Sequence, residues 1–461
     1  MNNTSIVFLT DSYRFSHHKQ YPSKTEHVYS YFESRGGKFD ETTFFGLQYL
    51  LKKYLSTPIT QEEINLAEDL VNIHIGPDIF NKKGWEYILD KHKGYLPLEI
   101  KAVSEGTTVP VKNVLMTIVN TDPACYWLTN YLETLLVQTW YPTTVCSQSR
   151  EMKKIISKYS KKTSEDQFID FKLHDFGFRG STSVESSALG GAAHLVNFMG
   201  TDTFSALMLL REHYDAPMAG FSLPAAEHST ITSWGKENEV KAFENMLDKF
   251  PDGLVAVVSD SFDIYNACEN LWGTELKEKI ENRNGTLVVR PDSGPPPEVV
   301  ANVLNILGEK FGYTTNSKGY KTLPPYIRVI QGDGIDINML DLILENMERC
   351  GWSTENTAFG SGGGLLQKVD RDTCKFAFKC SEIIVNGESR DVWKDPITDP
   401  GKRSKRGRLA LVRNEQGLLT SVPESDIITM RLENELKLVF RNGQLFNTQT
   451  LDDIRRRAAI V

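Results

Sequence analysis

Thr286-Leu-Val-Val-Arg290-Pro-Asp-Ser-Gly294-Pro-Pro-Pro297 joins a short apolar run to a turn built of proline, glycine and charge. A continuous apolar run bounded in this way is the pattern of a strand buried on both faces, as in a parallel sheet. Directly after it, residues 298–311 set Val299, Val303, Leu304 and Leu307 on one helical face. The same order of strand, polar turn and helix recurs at Tyr326-Ile-Arg-Val-Ile330, which runs through Gly332-Asp-Gly334 into a helix holding Leu340, Ile343, Leu344 and Met347. Further runs end in Leu173-His-Asp-Phe176, Ala226-Glu-His-Ser229, Val258-Ser-Asp-Ser261 and Gly360-Ser-Gly-Gly-Gly364. Parallel barrels and doubly wound sheets assemble their sites from loops at the carboxyl ends of strands. The chain therefore reads as an α/β enzyme, with residues 151–379 as its catalytic β/α domain.

The flanking sequence has a different rhythm. Residues 96–103 and 109–119 read as antiparallel strands, and residues 126–140 and 149–161 carry helical spacing. After Cys380 short strands return at residues 383–385, 409–412 and 436–440, the last leading into the hairpin signal Asn442-Gly443. The tail is expected to join the amino-terminal region, so that residues 1–150 and 380–461 form one discontinuous, β-rich flanking domain.

A chain of 461 residues with 40% hydrophobic and 24% charged residues has the composition of a globular protein of about two domains. The net charge of −8 argues against a general nucleic-acid or membrane binder. Six cysteines without a CxxC pair fit a reducing compartment, and no 18-residue apolar run or signal-like amino terminus is present. A cytoplasmic protein is expected.

Several residues at the strand ends carry chemistry. Gly360-Ser-Gly-Gly-Gly364 before Leu365 presents unobstructed backbone amides at a helix start, an arrangement that receives phosphate, although the P-loop spacing is absent. Asp333, between two glycines, is placed to accept from ribose hydroxyls or to hold hydrated magnesium, whereas Asp336 can equally cap the following helix. Arg290 and Asp292 flank a proline and are either an internal ion pair or an anion-binding group. His228 sits at another strand-to-helix junction, where it is either structural or faces a phosphate. The basic run from Gly401 to Arg408 is either a solvated loop or an attractor of phosphates.

Motifs in this order closely resemble those of the nicotinamide phosphoribosyltransferase family, which are type II phosphoribosyltransferases. They include Thr10-Asp-Ser-Tyr-Arg14, Leu173-His-Asp-Phe-Gly-Phe-Arg-Gly180, Gly200-Thr-Asp-Thr203, Pro224-Ala-Ala-Glu-His-Ser-Thr230, Arg290-Pro-Asp-Ser-Gly294, Gly332-Asp-Gly334, Phe359-Gly-Ser-Gly-Gly-Gly364 and Lys402-Arg-Ser-Lys405, and they span nearly the whole chain. The resemblance implies an irregular β/α barrel with a discontinuous β-rich flanking domain, acting as a homodimer with shared active sites. It implies transfer of a phosphoribosyl group from 5-phosphoribosyl-1-pyrophosphate (PRPP) to nicotinamide, with Mg2+, and ATP as a coupling co-substrate that phosphorylates His228.

By the same resemblance, Phe176 and a second subunit's Tyr13 would sandwich the pyridine ring, and Asp202 would accept from the carboxamide. Arg290 and Asp292 would frame base and ribose, and Gly332 with Asp333 would hold the ribose hydroxyls. Gly362, Gly363 and Arg371 from the second subunit would take the 5′-phosphate. Arg179, His228 and Arg290 would surround pyrophosphate, with Arg35, Lys379, Lys394 and Lys402 as further anion contacts. Ala256 and Ala377 stand where the family often has serines. A nicotinate-specific relative and a catalytically silent binding protein are the competing readings.

Overall fold

The computed structural model describes residues 5–398 and 402–460. The described residues divide into two compact units: one of residues 5–147, 213–215 and the described part of 369–459, and the other of residues 148–212 and 216–368 with Ile460.

In the second unit, strands Leu173–Asp175, Gly200–Thr201, Asp252–Val258, Asn284–Arg290, Ile327–Gln331 and Thr357–Ser361 form one parallel sheet. Its edges are joined through residues 221–225. Phe221 bridges in parallel to Gly200, and Ala225 bridges in parallel to Ala256. The sheet thereby closes as a barrel whose seventh stave is only a pair of bridges. Pro224 explains the irregularity, since it has no N–H to donate to a ladder. The expected barrel is thus present in its irregular form.

The apolar runs lie where their composition puts them. Leu287, Val288 and Val289 are all buried, and Ala256, Val288 and Ile330 form an interior cluster against which Phe176, Leu223 and Ala358 pack. Ala256 therefore adds to the apolar wall beneath Phe176. Helix Pro296–Phe311 begins with proline in its first turn and buries Val299, Val303, Leu304 and Leu307. Helix Ile337–Arg349 packs beside it and buries Leu340, Ile343, Leu344 and Met347. Its cap is Asp336, whose carboxylate accepts from the amides of Asn338 and Met339, so this residue is structural.

The first unit is built on a seven-stranded sheet in the order Glu388–Asp391, Phe376–Val385, Thr25–Ser34, Val114–Asn120, Leu98–Val103, Leu436–Arg441, Gln444–Leu445. Its chain order is discontinuous, as expected from the tail. Phe376 already pairs with Ser34, so the strand Phe376–Val385 lies wholly in this sheet and crosses the boundary expected between residues 379 and 380. The run at 109–119 is also two strands. Thr108–Pro110 pairs with Glu41–Thr43, and a turn with Lys112 at φ 67° leads to Val114–Asn120. Asn442 and Gly443, at φ 50° and 83°, make the tight hairpin that their sequence signals.

Candidate active site

Among the described residues, two cavities of interest enter the barrel unit. One, of about 510 Å³, opens at the amino ends of the strands, where Lys172 and Arg328 donate to backbone carbonyls and so serve the frame. The other, of about 690 Å³, lies at the carboxyl ends and collects the polar turns. Its chemistry makes it the candidate site.

Nine of the residues named from sequence line this second cavity: Phe176 and Arg179 after the first barrel strand, Asp202 after the second, Arg290 and Asp292, Gly332 and Asp333, and Gly362 with Gly363. The first strand ends in Asp175, fully buried, whose Oδ1 accepts the Gly177 amide at 2.7 Å. Burial pushes the Asp175 carboxyl up to about 6, and the turn it holds carries Phe176 into the cavity. The amide of Asp202 donates to the Asp175 carbonyl at 2.9 Å, and the Ser222 hydroxyl donates to Asp202 Oδ1. That bond leaves Asp202 Oδ2 to accept from a ligand.

Arg290 ends its strand, and its guanidinium lies 3.6 Å from Asp292 Oδ2. The ion-pair reading is therefore met, yet the Arg290 Nε is buried with no protein partner. Burial raises the Asp292 carboxyl above the usual carboxylate range; Arg290 and His228 oppose the shift, while Asp260 and Asp333 reinforce it. The turn carrying Asp333 is pinned by the Gln331 side-chain amide, which donates to the Asp333 carbonyl at 3.0 Å. Gly362 caps the short helix Gly363–Leu366, and space for a Cβ at Gly363 is open to 4 Å. Backbone amides at that position are free of side-chain cover, as a phosphate seat requires.

His228 begins helix His228–Thr232 and is half exposed; its Nε2 lies 3.1 Å from Oδ1 of the buried Asp260. Asp260 was not assigned a role by sequence reasoning, although it sits in one of the strand-end clusters. Glu227, also unassigned, lines the cavity and accepts the Ser229 hydroxyl. The carboxylates of Asp260 and Asp333 both lie near enough to Asp292 to act on it electrostatically. Hard oxygens gathered in this way suit Mg2+, which is commonly held by one or two carboxylates together with substrate phosphates. A grouping of His92, Asp122 and Cys125 in the first unit also has metal-ligand character, but its Asp122 oxygens already accept from His92, Tyr87 and the Ala124 amide.

The remaining candidates belong to the first unit. Tyr13 is 58% exposed on helix Ser12–Lys19, with the Arg14 guanidinium 5.1 Å from its ring centre. Arg35 pairs with Glu33 at 3.1 Å and Arg371 with Asp372 at 3.2 Å. The Lys379 ammonium is lowered first by burial, then by the like charges of Arg35, Lys394 and Arg371, with Glu133 opposing. Four cations separated widely in sequence thus share one neighbourhood. The backbone amide of Lys394 donates to the Ser404 hydroxyl, and Lys402 is exposed. In the basic run, Gly401 lies outside the described residues, whereas Arg403, Lys405, Arg406 and Arg408 pair with Asp395, Glu33, Asp391 and Glu382. Lys405 and Arg408 are partly buried in these pairs, whereas Arg403 and Arg406 stay exposed.

The nicotinate phosphoribosyltransferase (NAPRTase) family model matches residues 171–444, and the model of the nicotinamide phosphoribosyltransferase N-terminal domain matches residues 5–100. The chain belongs to this phosphoribosyltransferase family. A nicotinamide phosphoribosyltransferase of Xanthomonas campestris pv. campestris (strain 8004) is 51% identical over 461 residues, covering 98% of each chain. One from Acinetobacter baylyi (strain ATCC 33305 / BD413 / ADP1) is 32% identical, covering 97% of this chain and 96% of its own. Among solved structures, the nicotinate-nucleotide pyrophosphorylase of Pyrococcus furiosus aligns with a TM-score of 0.63 at 15% identity, over 99% of this chain and 95% of that one. Human nicotinic acid phosphoribosyltransferase aligns with a TM-score of 0.54 at 14% identity, over 98% and 92%. These two structures speak to the type II phosphoribosyltransferase fold alone.

Proposed function

We propose that this enzyme transfers the 5-phosphoribosyl group from PRPP to nicotinamide, giving nicotinamide mononucleotide and pyrophosphate in NAD salvage. The observation that carries the reading is Asp202: a carboxylate that lines the same cavity as Phe176 and accepts the Ser222 hydroxyl through Oδ1. It accepts from an amide N–H and repels the carboxylate of nicotinate. The choice of nicotinamide over nicotinate rests on that charge.

In the reaction the C1–O bond to pyrophosphate breaks as the pyridine nitrogen bonds to C1, and positive charge develops on the ribose. Gly362 and Gly363 amides hold the 5′-phosphate, and Asp333 accepts from the ribose hydroxyls. Arg290 and Arg179 neutralise the departing pyrophosphate, and Phe176 fixes the ring plane so that its nitrogen faces C1. Asp260, Asp292 and Asp333 would hold Mg2+, which would neutralise charge on the phosphates. Arg35, Lys379, Lys394 and Lys402 draw the anionic substrates.

His228 is the coupling residue for ATP. With Nε2–H donated to Asp260, the Nδ1 lone pair is the nucleophile that takes the γ-phosphoryl group as ADP leaves. Wild type with nicotinamide, PRPP and Mg2+ should form mononucleotide and pyrophosphate in equal amounts, faster with ATP; His228→Ala should lose the ATP stimulation and keep the slow reaction. Absence of equimolar products sinks the transfer, and undiminished stimulation in the variant sinks the role of His228.

A homodimer completes the site, with Tyr13 and Arg371 supplied by the second subunit; the exposure of Tyr13 supports this. Mixing Tyr13→Ala with Asp292→Ala chains should restore about a quarter of the sites by random pairing. No recovery despite proven subunit exchange would refute sharing. All six cysteines are free thiols, which supports a cytoplasmic placement.

A further inference from the structure

Glycine within a strand marks a place where something else must come close. The loop Gly360-Ser-Gly-Gly-Gly364 holds four glycines, and their surroundings differ. A Cβ at Gly363 would meet nothing within 4 Å, which leaves the backbone open to an anion. At Gly364 it would come 2.5 Å from the Ile335 carbonyl oxygen, so that glycine lets two loops of the barrel touch. At Gly360 the three nearest atoms all belong to the ring of Phe176: a Cβ would overlap Cε2 and Cδ2 and lie 2.7 Å from Cζ.

Gly360 is buried in strand Thr357–Ser361, opposite His174 in the neighbouring strand that leads into Phe176. The Phe176 amide donates to Ser361 at 2.9 Å, so the chain leaves its strand and the ring folds back over the next one. Gly332, one strand further, would place a Cβ 3.3 Å from the same ring edge. Beneath the ring lies the apolar plug of Ala256, Val288 and Ile330.

We infer that Gly360 is a positioning residue for the base: it is the seat of the Phe176 ring and sets the plane against which nicotinamide stacks, and it takes no part in phosphate binding. The inference rests on the proposed role of Phe176. The glycine loop is then divided, with its first residue serving the base and its middle residues serving the phosphate.

The test is a double-mutant cycle read as separate KM values for nicotinamide and PRPP. Gly360→Ala should raise the nicotinamide KM by about tenfold or more through the displaced ring, with the PRPP KM within about twofold. In a Phe176→Ala background, adding Gly360→Ala should change the nicotinamide KM by less than about twofold, because the atoms it would strike are gone. Gly363→Ala should do the reverse and raise the PRPP KM alone. If Phe176→Ala leaves the nicotinamide KM unchanged, the proposed function has the ring in the wrong place. If Phe176→Ala raises it and Gly360→Ala does not, or raises the PRPP KM instead, the seat is refuted. Should Gly360→Ala fail to fold, the double variant decides: wild-type-like melting supports the seat, and a double variant that also fails to fold shows that Gly360 serves the barrel.

Discussion

An Arg290→Ala enzyme should form nicotinamide mononucleotide about 10²–10³-fold more slowly, the usual loss when a preorganised group aimed at developing charge is removed. Arg290 closes the parallel strand Asn284–Arg290 and is held beside Asp292 across a proline, so its orientation is set before substrate arrives. Its buried Nε lacks a protein partner, which marks it as a donor kept for a ligand. The fall should appear mainly in kcat, since charge on the leaving pyrophosphate grows toward the transition state. Arg290→Lys should recover little, because a point charge cannot reproduce the planar fork on phosphate oxygens. A kcat within about threefold of wild type in Arg290→Ala would remove the residue from the mechanism.

The second large effect is on choice of base. Asp202→Ser should lower kcat/KM for nicotinamide and raise nicotinate relative to it, shifting the ratio by about a hundredfold or more. A charge-assisted hydrogen bond to the carboxamide contributes roughly 1.5–3 kcal/mol, and removing the like charge relieves nicotinate at the same time. Serine donates to a carboxylate and carries no charge. Ser222, which now donates to Asp202 Oδ1, is unchanged in the variant. The measurement is the ratio of kcat/KM for the two bases in wild type and variant; an unchanged ratio would place selection elsewhere.

What the sequence reveals and what it hides follow from the range of the interactions. Strands buried on both faces leave continuous apolar runs, so residues 286–290 and 326–330 announced the barrel and the ends at which its site lies. The run into Ala226-Glu-His-Ser229 was expected as a full strand, yet at residues 221–225 it is reduced to a pair of isolated bridges, because Pro224 has no N–H to give to a ladder. Local chemistry was legible: Asn442-Gly443 formed its hairpin, and of the two roles open to Asp336 the helix cap is the one observed. Pairings across long separations were not. Nothing in the spacing joins His228 to Asp260, or brings Arg35, Lys379, Lys394 and Arg371 together, and those cations were named through family resemblance. The glycine loop shows the same limit. Its composition suggested one phosphate-binding role, whereas the neighbours of Gly360 and Gly364 are a ring and a carbonyl supplied by distant turns.

The most direct test of a nicotinamide-selective transfer site is a competition in one vessel. Wild-type enzyme, PRPP and Mg2+ are given equal concentrations of nicotinamide and nicotinate, and the two mononucleotides are separated and counted at low conversion. The account predicts an excess of nicotinamide mononucleotide of about a hundredfold or more, from the same interaction difference at Asp202. Equal products, or an excess of nicotinate mononucleotide, would contradict it.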